Sequence, residues 1–197
     1  MQDFLNGKIL VAMPNMTDPR FEKSLVLVCS HDANHAMGIV ANKQLDDVKT
    51  ETLLEQLQIA PRSGLESSPV YFGGPVKTDR GLILHTNDYV LDATMPINDC
   101  VGLTGSQTIL VDTLGAHPTR PAPLQSKFVI GHAAWGPGQL EREMAANAWV
   151  HCDFSEEIIF RSDGDAAWKA GYATLGVTEA MFSSSWSDTR TTDHPLN

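Results

Sequence analysis

The sequence predicts an α+β protein in which strands outnumber helices. Apolar runs rich in β-branched residues recur along the chain, and several are joined by short polar loops, whereas a doubly wound sheet would alternate strand and helix regularly. With 197 residues, 42% of them hydrophobic, the chain can build one ordinary core. No repeat or linker divides it, so we predict one domain over residues 1–182 and a flexible polar tail over residues 183–197.

The N-terminal part is predicted to contain three strands. Residues 8–13 (KILVAM) and 24–30 (SLVLVCS) are apolar runs separated by a turn, and residues 36–42 form the third strand. The polar segment 31–35 (HDANH) is typical of a hairpin loop, because Asp and Asn tolerate left-handed backbone geometry. We therefore expect the second and third strands to pair antiparallel.

The middle of the chain is predicted to contain two helices and three strands. Thr50 is placed to cap a helix that ends near Gln58, before Pro61. Ser106 is placed to cap a second helix, which Gly115 closes. The predicted strands are residues 70–72, 81–86 and 101–103.

The last third begins with a clear strand over residues 127–133 (KFVIGHA). The turn Trp135-Gly136-Pro137-Gly138 follows, and a helix is expected over residues 139–147. Asp165 is placed to cap a further helix that ends at Gly176. The other expected elements are strands over residues 149–153 and 158–160 and a short helix from Thr178.

The charge balance restricts the classes of partner. The chain has 14 Lys and Arg against 24 Asp and Glu, a formal charge of −10, and its basic residues are scattered. Affinity for nucleic acid and for anionic membranes depends on clustered basic residues. We therefore expect no direct DNA binding, no salt-sensitive mobility shift with DNA and no membrane association, the last also because no apolar stretch reaches the ~20 residues of a spanning helix.

Recognisable cofactor and metal motifs are missing from the sequence. Cys29, Cys100 and Cys152 are widely spaced and form no C-x-x-C pair, which favours reduced thiols in the cytoplasm over disulfides or a zinc site. No segment matches G-x-G-x-x-G or G-x-x-x-x-G-K-[ST]. We predict no cofactor and no bound metal.

A series of short motifs runs through the chain in order. They are Phe4-Leu5-x-Gly7-x-Ile9-Leu10-Val11-Ala12-Met13-Pro14, Asp18-Pro19-x-Phe21-x-x-Ser24-Leu25-Val26, Ala36-Met37-Gly38-Ile39-Val40-x-Asn42, Gly73-Gly74-Pro75-Val76, Arg80-Gly81-x-Ile83-Leu84-His85, Trp135-x-x-Gly138-Gln139-Leu140-Glu141, Asn147-x-Trp149 and Trp168. By this series the chain resembles the YqgE/AlgH family of bacterial proteins over about residues 4–176. It departs from the family at Ala134, where a glycine usually precedes the motif tryptophan.

The resemblance implies a fold but no particular biochemical activity. The implied fold is an α/β sandwich whose bifurcated, mostly antiparallel sheet forms a pseudo-barrel with helices packed outside. Some family members are described as transcriptional regulators. For a chain as acidic as this one, that description implies indirect action and not direct contact with DNA.

Two groups of residues have side chains of the kinds that bind metals or act in catalysis. Cys29-x-His31-x-x-x-His35 has zinc-ligand and nucleophile types, but both histidines fall in a predicted loop, and a buried structural Cys29 is the simpler interpretation. His85 ends an apolar strand and is a candidate general base facing a cleft, but a hydrogen-bonded structural histidine is the simpler interpretation, because no serine or carboxylate motif flanks it.

The segment after the late strand carries a third set of candidates. Gly138, Gln139 and Glu141 open a helix, where they either cap it or bind a ligand at exposed backbone N–H groups. Trp135 lies in a Gly- and Pro-rich turn, so partial exposure competes with the usual core position of tryptophan.

These candidates lead to a hypothesis of a non-enzymatic binding or regulatory protein. We expect an apolar cleft for a protein or peptide, bordered by Asn42, Gly73, Gly74, Pro75, His85, Trp135, Gly138, Gln139 and Glu141. If the motifs serve binding, Asn42, Gly74, His85 and Gln139 should border one depression. The alternatives are a hydrolase or transferase using His85, Glu141 and Cys29, or a regulator that acts indirectly. No catalytic residue is assigned.

Overall fold

The computed structural model describes residues 4–65 and 68–177. Strands dominate the described residues, as the sequence predicts. The strands are β1 (Ile9–Ala12), β2 (Leu25–His31), β3 (Ala36–Val40), β4 (Val70–Phe72), β5 (Val76–Thr86), β6 (Thr94–Pro96), β7 (Val101–Thr104), β8 (Ser126–Trp135) and β9 (Trp149–Cys152). The helices are α1 (Thr50–Gln56), α2 (Gln107–Leu114), α3 (Gln139–Ala145) and α4 (Gly164–Ala173). The tail predicted over residues 183–197 and the helix expected from Thr178 lie outside the described residues.

All of these strands join one curled sheet in the order β6-β7-β5-β8-β3-β2-β1-β9, with β4 attached to β8 outside this path. Every pairing along the path is antiparallel, and β2 and β3 form the expected hairpin. The curled sheet forms a half-barrel with the helices packed around it, so the predicted α+β class and the mostly antiparallel sheet are confirmed.

The sheet divides at β8. Along one edge, the end of β8 pairs antiparallel with β3, where Gly38 faces Ala133. The beginning of β8 pairs on the same edge with β4, in parallel, where Val70 faces Phe128. The opposite edge of β8 pairs with β5. This fork is the bifurcation that the family resemblance implies.

Helix α4 covers the β1–β2 side of the sheet. Trp168 and Tyr172 lie one turn apart with ring centroids 5.0 Å apart, and both donate hydrogen bonds to the Ala12 carbonyl, at 2.8 and 3.1 Å. A Cβ on Gly171 would lie 2.9 Å from the Leu25 side chain, so glycine lets the helix approach the strands closely. Polar anchors and apolar contact therefore fix α4 on the sheet.

Several local predictions are wrong in detail. Residues 158–160 belong to a π-helical turn, Glu157–Arg161, because a three-residue apolar run is too short for its periodicity to separate strand from helix. Thr50 does not cap α1, since its hydroxyl donates to the Ser68 carbonyl. Asp163 and not Asp165 occupies the position before α4. Ser106 precedes α2 as expected, but its hydroxyl makes no capping bond.

Candidate functional site

Gly73 and Gly74 lie at the fork of the sheet. The Gly73 N–H donates to the Ile130 carbonyl of β8 at 2.8 Å, and the Gly73 carbonyl accepts from the Val40 N–H of β3 at 2.8 Å. This residue therefore joins β8 to β3 at the point where they separate. A Cβ on Gly73 would lie 2.2 Å from the Gly131 carbonyl oxygen. Gly74 has φ +148°, and a Cβ there would lie 2.1 Å from a β8 carbonyl carbon. Backbone packing alone therefore requires both glycines.

Asn42 follows β3 and is 1% exposed. Its Oδ1 accepts from the Leu25 N–H at 2.8 Å, and its Nδ2 donates to the carbonyls of Lys23 and Gly164, each at 2.9 Å. The Asn42 carbonyl also accepts from the Gly164 N–H at 2.8 Å. The amide thus joins the start of β2, the end of β3 and the start of α4, and its hydrogen-bonding groups are used within the fold.

His85 lies in the core with 0% exposure. Its Nδ1 donates to the Thr86 carbonyl at 3.0 Å, so its Nε2 accepts from the Thr104 hydroxyl at 2.8 Å. The ring packs edge-on against Tyr89, and burial lowers the pKa of His85. The structure therefore places His85 as a neutral, hydrogen-bonded core histidine away from any surface cleft.

The Cys29 and His31 segment also turns inward. Cys29 is buried in the core, and burial raises the pKa of its thiol to about 12, which disfavours the thiolate. His31 Nδ1 accepts from the Leu5 N–H at 3.1 Å, so Nε2 carries the proton and donates to Glu141 Oε1 at 3.2 Å. No group of three or more potential metal ligands occurs within residues 4–65 and 68–177.

Glu143 organises the two tryptophans near the start of α3. Its Oε2 accepts from both indole N–H groups, Trp135 Nε1 and Trp149 Nε1, each at 2.9 Å. Its Oε1 accepts from Gln139 Nε2 at 2.8 Å. Gln139 Oε1 in turn accepts from the Gly136 N–H at 3.1 Å, which ties the turn before α3 to the same network. Three donors from separate segments therefore hold one carboxylate.

A depression of about 300 Å³ lies above this network, and we call it the tryptophan depression. Its lining is mostly apolar, with one ion pair, one amide and one carboxylate. The lining residues are Met16, Asp18, Arg20, Phe21, Pro75, Ala134, Trp135, Gln139, Glu143, Ala148 and Trp149. Trp135 and Trp149 are only 5% and 4% exposed, so they form its floor. Ala134 is exposed and its methyl group adds to the wall, so the alanine that stands where the family usually has glycine is accommodated without crowding.

A second, polar depression of about 640 Å³ opens beside Asn42, and we call it the Asn42 depression. Its lining residues are Glu22, Lys23, Asn42, Lys43, Gln44, Asp46, Asp163, Gly164 and Asp165. Behind it, the buried Lys127 ammonium donates to Asp163 Oδ1 at 2.6 Å and lies 4.3 Å from the Tyr71 ring centroid. Burial lowers the pKa of Lys127.

The structure brings together only some of the predicted site residues. Pro75, Trp135 and Gln139 border the tryptophan depression, and Gly138 begins the helix beside it with φ +64°. Asn42 borders the other depression, and His85 is fully buried. The expectation that Asn42, Gly74, His85 and Gln139 share one depression is therefore not met, because hydrogen bonding inside the fold uses Asn42 and His85. Whether the remaining residues bind a partner stays a prediction.

Sequence reasoning missed Glu143, although it holds both indoles. Its spacing of four from Gln139 on one helix was a usable signal, since such pairs face each other. Arg20 and Phe21 also line the depression, and only the tertiary fold brings them there. Within the described residues, no helix is both long and apolar enough to cross a membrane.

Comparison with known proteins identifies the family. A family model described as AlgH-like matches residues 9–180. A UPF0301 protein of Caulobacter vibrioides is 38% identical over 177 residues, which cover 89% of each chain. A UPF0301 protein of Azorhizobium caulinodans is 40% identical over 189 residues, which cover 92% of this chain and 90% of that relative.

Solved structures agree with the sequence relatives. The solution structure of AlgH from Pseudomonas aeruginosa matches with a TM-score of 0.75 and 30% identity, over 99% of this chain and 100% of that one. Protein DIP2367 from Corynebacterium diphtheriae matches with a TM-score of 0.66 and 19% identity over 86% of each chain, a likeness of fold. By family model, sequence identity and fold together, the chain belongs to the AlgH-like family.

Proposed function

We propose that this protein is a non-enzymatic binding module that holds a peptide segment of a partner protein in the tryptophan depression. The observation that carries the proposal is the Glu143 network, which fixes Trp135, Trp149 and Gln139 around one apolar hollow. A site that is already rigid loses little conformational entropy when a partner docks. Anchored aromatic residues are also the commonest centres of binding energy in protein interfaces.

The size of the depression favours a single inserted side chain. About 300 Å³ is at the lower end of the range for small-molecule pockets. Apolar groups of Met16, Phe21 and Pro75 surround the hollow, as expected for the pocket that receives one anchor of an interface.

A binding role is preferred to catalysis because the residues considered for catalysis point elsewhere. The Cys29 thiol is buried with a raised pKa, and His85 is buried and bonded to Thr86 and Thr104. Glu141 bonds to His31 on the far side of α3 from the depression lining. These placements leave no support for a nucleophile paired with a base at the depression.

The test is selection from a random peptide display library against the folded protein, followed by NMR titration of the ¹⁵N-labelled protein with the selected peptides. Binding should shift the indole N–H signals of Trp135 and Trp149 and leave that of Trp168, which donates to Ala12 in the core, in place.

A matched pair of variants locates the binding surface. Ala134→Leu fills the depression from an exposed position, and Ala173→Leu makes the same change at an exposed position of α4 that does not line it. We expect the first variant to lose peptide binding and the second to keep it. Equal binding by both variants, or no selected peptide that shifts the two indole signals, would refute the proposal.

A further inference from the structure

The charges around the tryptophan depression do not cancel. Asp18, Arg20 and Glu143 are its charged lining residues. Arg20 pairs closely with Asp18, with Nη2 2.7 Å from Oδ2 and Nε 3.0 Å from Oδ1. In the described ranges 4–65 and 68–177, Glu143 forms no ion pair with any Lys, Arg or His. The depression therefore carries one uncompensated negative charge.

The Glu143 carboxylate also keeps hydrogen-bonding capacity for a further donor. An ionised carboxylate has about four acceptor positions on its two oxygens. The indoles of Trp135 and Trp149 occupy Oε2, and Gln139 supplies one donor to Oε1. All three donors are neutral, so they orient the charge without neutralising it. One acceptor position on Oε1 remains for a ligand.

Three aromatic rings line the same depression as this carboxylate, and two pairs of them meet at steep angles. Phe21 and Trp149 have ring centroids 5.6 Å apart at an interplanar angle of 75°, and Trp135 and Trp149 have centroids 6.2 Å apart at 80°. Aromatic faces attract cations through the ring quadrupole, and cages of aromatic rings bind organic cations in proteins. The rim already shows this preference, since the Arg20 guanidinium lies 5.9 Å from the Phe21 centroid.

We infer that the side chain received by the tryptophan depression is a Lys or Arg of the partner, whose cationic head is held by the Glu143 carboxylate beside the half-buried ring of Phe21. This inference rests on the proposed function and specifies its ligand. The long apolar stem of such a side chain packs along Pro75 while its charged head reaches the carboxylate. The formal charge of −10 on the chain also favours encounter with a basic segment.

The inference is tested on the peptides selected from the random library. We expect one Lys or Arg position to recur, and replacement of that residue by norleucine, an uncharged residue of similar shape, to weaken binding at least 10-fold. Binding should also weaken as salt is raised from 50 to 500 mM, because one charge pair is partly exposed.

Two variants of the protein probe the same contact from the other side. Glu143→Gln removes the negative charge but keeps a carbonyl acceptor for the indoles, and Glu157→Gln makes the same change at an exposed glutamate away from the depression. Glu143→Gln should weaken binding of the Lys or Arg peptide at least 10-fold more than binding of its norleucine counterpart, while Glu157→Gln changes neither. Unshifted indole signals of Trp168 in both variants show that the fold is kept.

The outcomes separate the two proposals. Selected peptides that shift the Trp135 and Trp149 signals through an uncharged or acidic anchor overturn this inference and leave the peptide-binding function standing. Failure of every selected peptide to reach the depression overturns both. If Glu143→Gln does not fold, the norleucine replacement and the salt dependence, measured on the unaltered protein, still decide the question.

Discussion

Asn42→Ala should destabilise the protein by about 3 kcal/mol. The substitution leaves the Leu25 N–H and the carbonyls of Lys23 and Gly164 without their partners. Each lost hydrogen bond at a site that is 1% exposed contributes about 1 kcal/mol. The measurement is urea unfolding followed by circular dichroism, with Asn34→Ala as the control, since Asn34 is exposed in the β2–β3 loop and its removal should change stability by less than about 0.5 kcal/mol.

The isosteric change Asn42→Asp gives the same experiment a second readout. Its Oδ1 still accepts from Leu25, but its second oxygen replaces a donor that lies 2.9 Å from two carbonyl oxygens. The ionised variant is therefore less stable than the protonated one, which can donate to one carbonyl, so relative to the unaltered protein it should regain stability as the pH falls toward about 4, the ordinary pKa of Asp in the unfolded chain. A loss below about 1 kcal/mol for Asn42→Ala, or no recovery of Asn42→Asp at low pH, would refute a structural role for this amide.

Two further predictions concern the other motif residues. Gly74→Ala should lower the free energy of unfolding by more than about 4 kcal/mol or prevent folding, because its Cβ would lie 2.1 Å from the His132 carbonyl carbon. The control Gly64→Ala meets no atom within 4 Å and should cost about 1 kcal/mol, both measured by thermal unfolding. Burial lowers the pKa of His85, so the unfolded chain takes up a proton first and the protein should lose stability as the pH falls below about 6.5. Urea midpoints of the unaltered protein and His85→Gln should converge from pH 7 to pH 5, and parallel curves would contradict this.

Local features of the fold were predictable from the sequence because their causes are local. The β2–β3 hairpin follows from two apolar runs around an Asp- and Asn-containing loop. Strand β6 was missed, since Thr94–Pro96 is short and has no alternating pattern. The parallel pairing of β4 with β8 was also beyond prediction, because it depends on two segments about 58 residues apart, Val70 facing Phe128.

The candidate site was only partly predictable for a related reason. A histidine at the end of an apolar strand looks the same in sequence whether it faces the core or a cleft, and the register of His85 opposite Gly102 and Ser126 turns it inward. Trp135 and Gln139 were found because they lie in one turn. Glu143 was overlooked because its importance comes from Trp149, which the chain reaches only after α3 has ended.

The fork at β8 also determines when the sheet can form during synthesis. Strands β3, β4 and β5 all pair with β8. The pairing of Gly38 with Ala133 can therefore form only after β8 has left the ribosome. At typical translation rates the roughly 100 intervening residues take roughly 5–20 s to appear. During that interval β3, and then β4 and β5 once they are synthesised, keep edges that only β8 can cover, and such edges are templates for pairing with other chains. The arrangement that joins the finished sheet therefore makes the unfinished chain dependent on protection from its neighbours until β8 arrives.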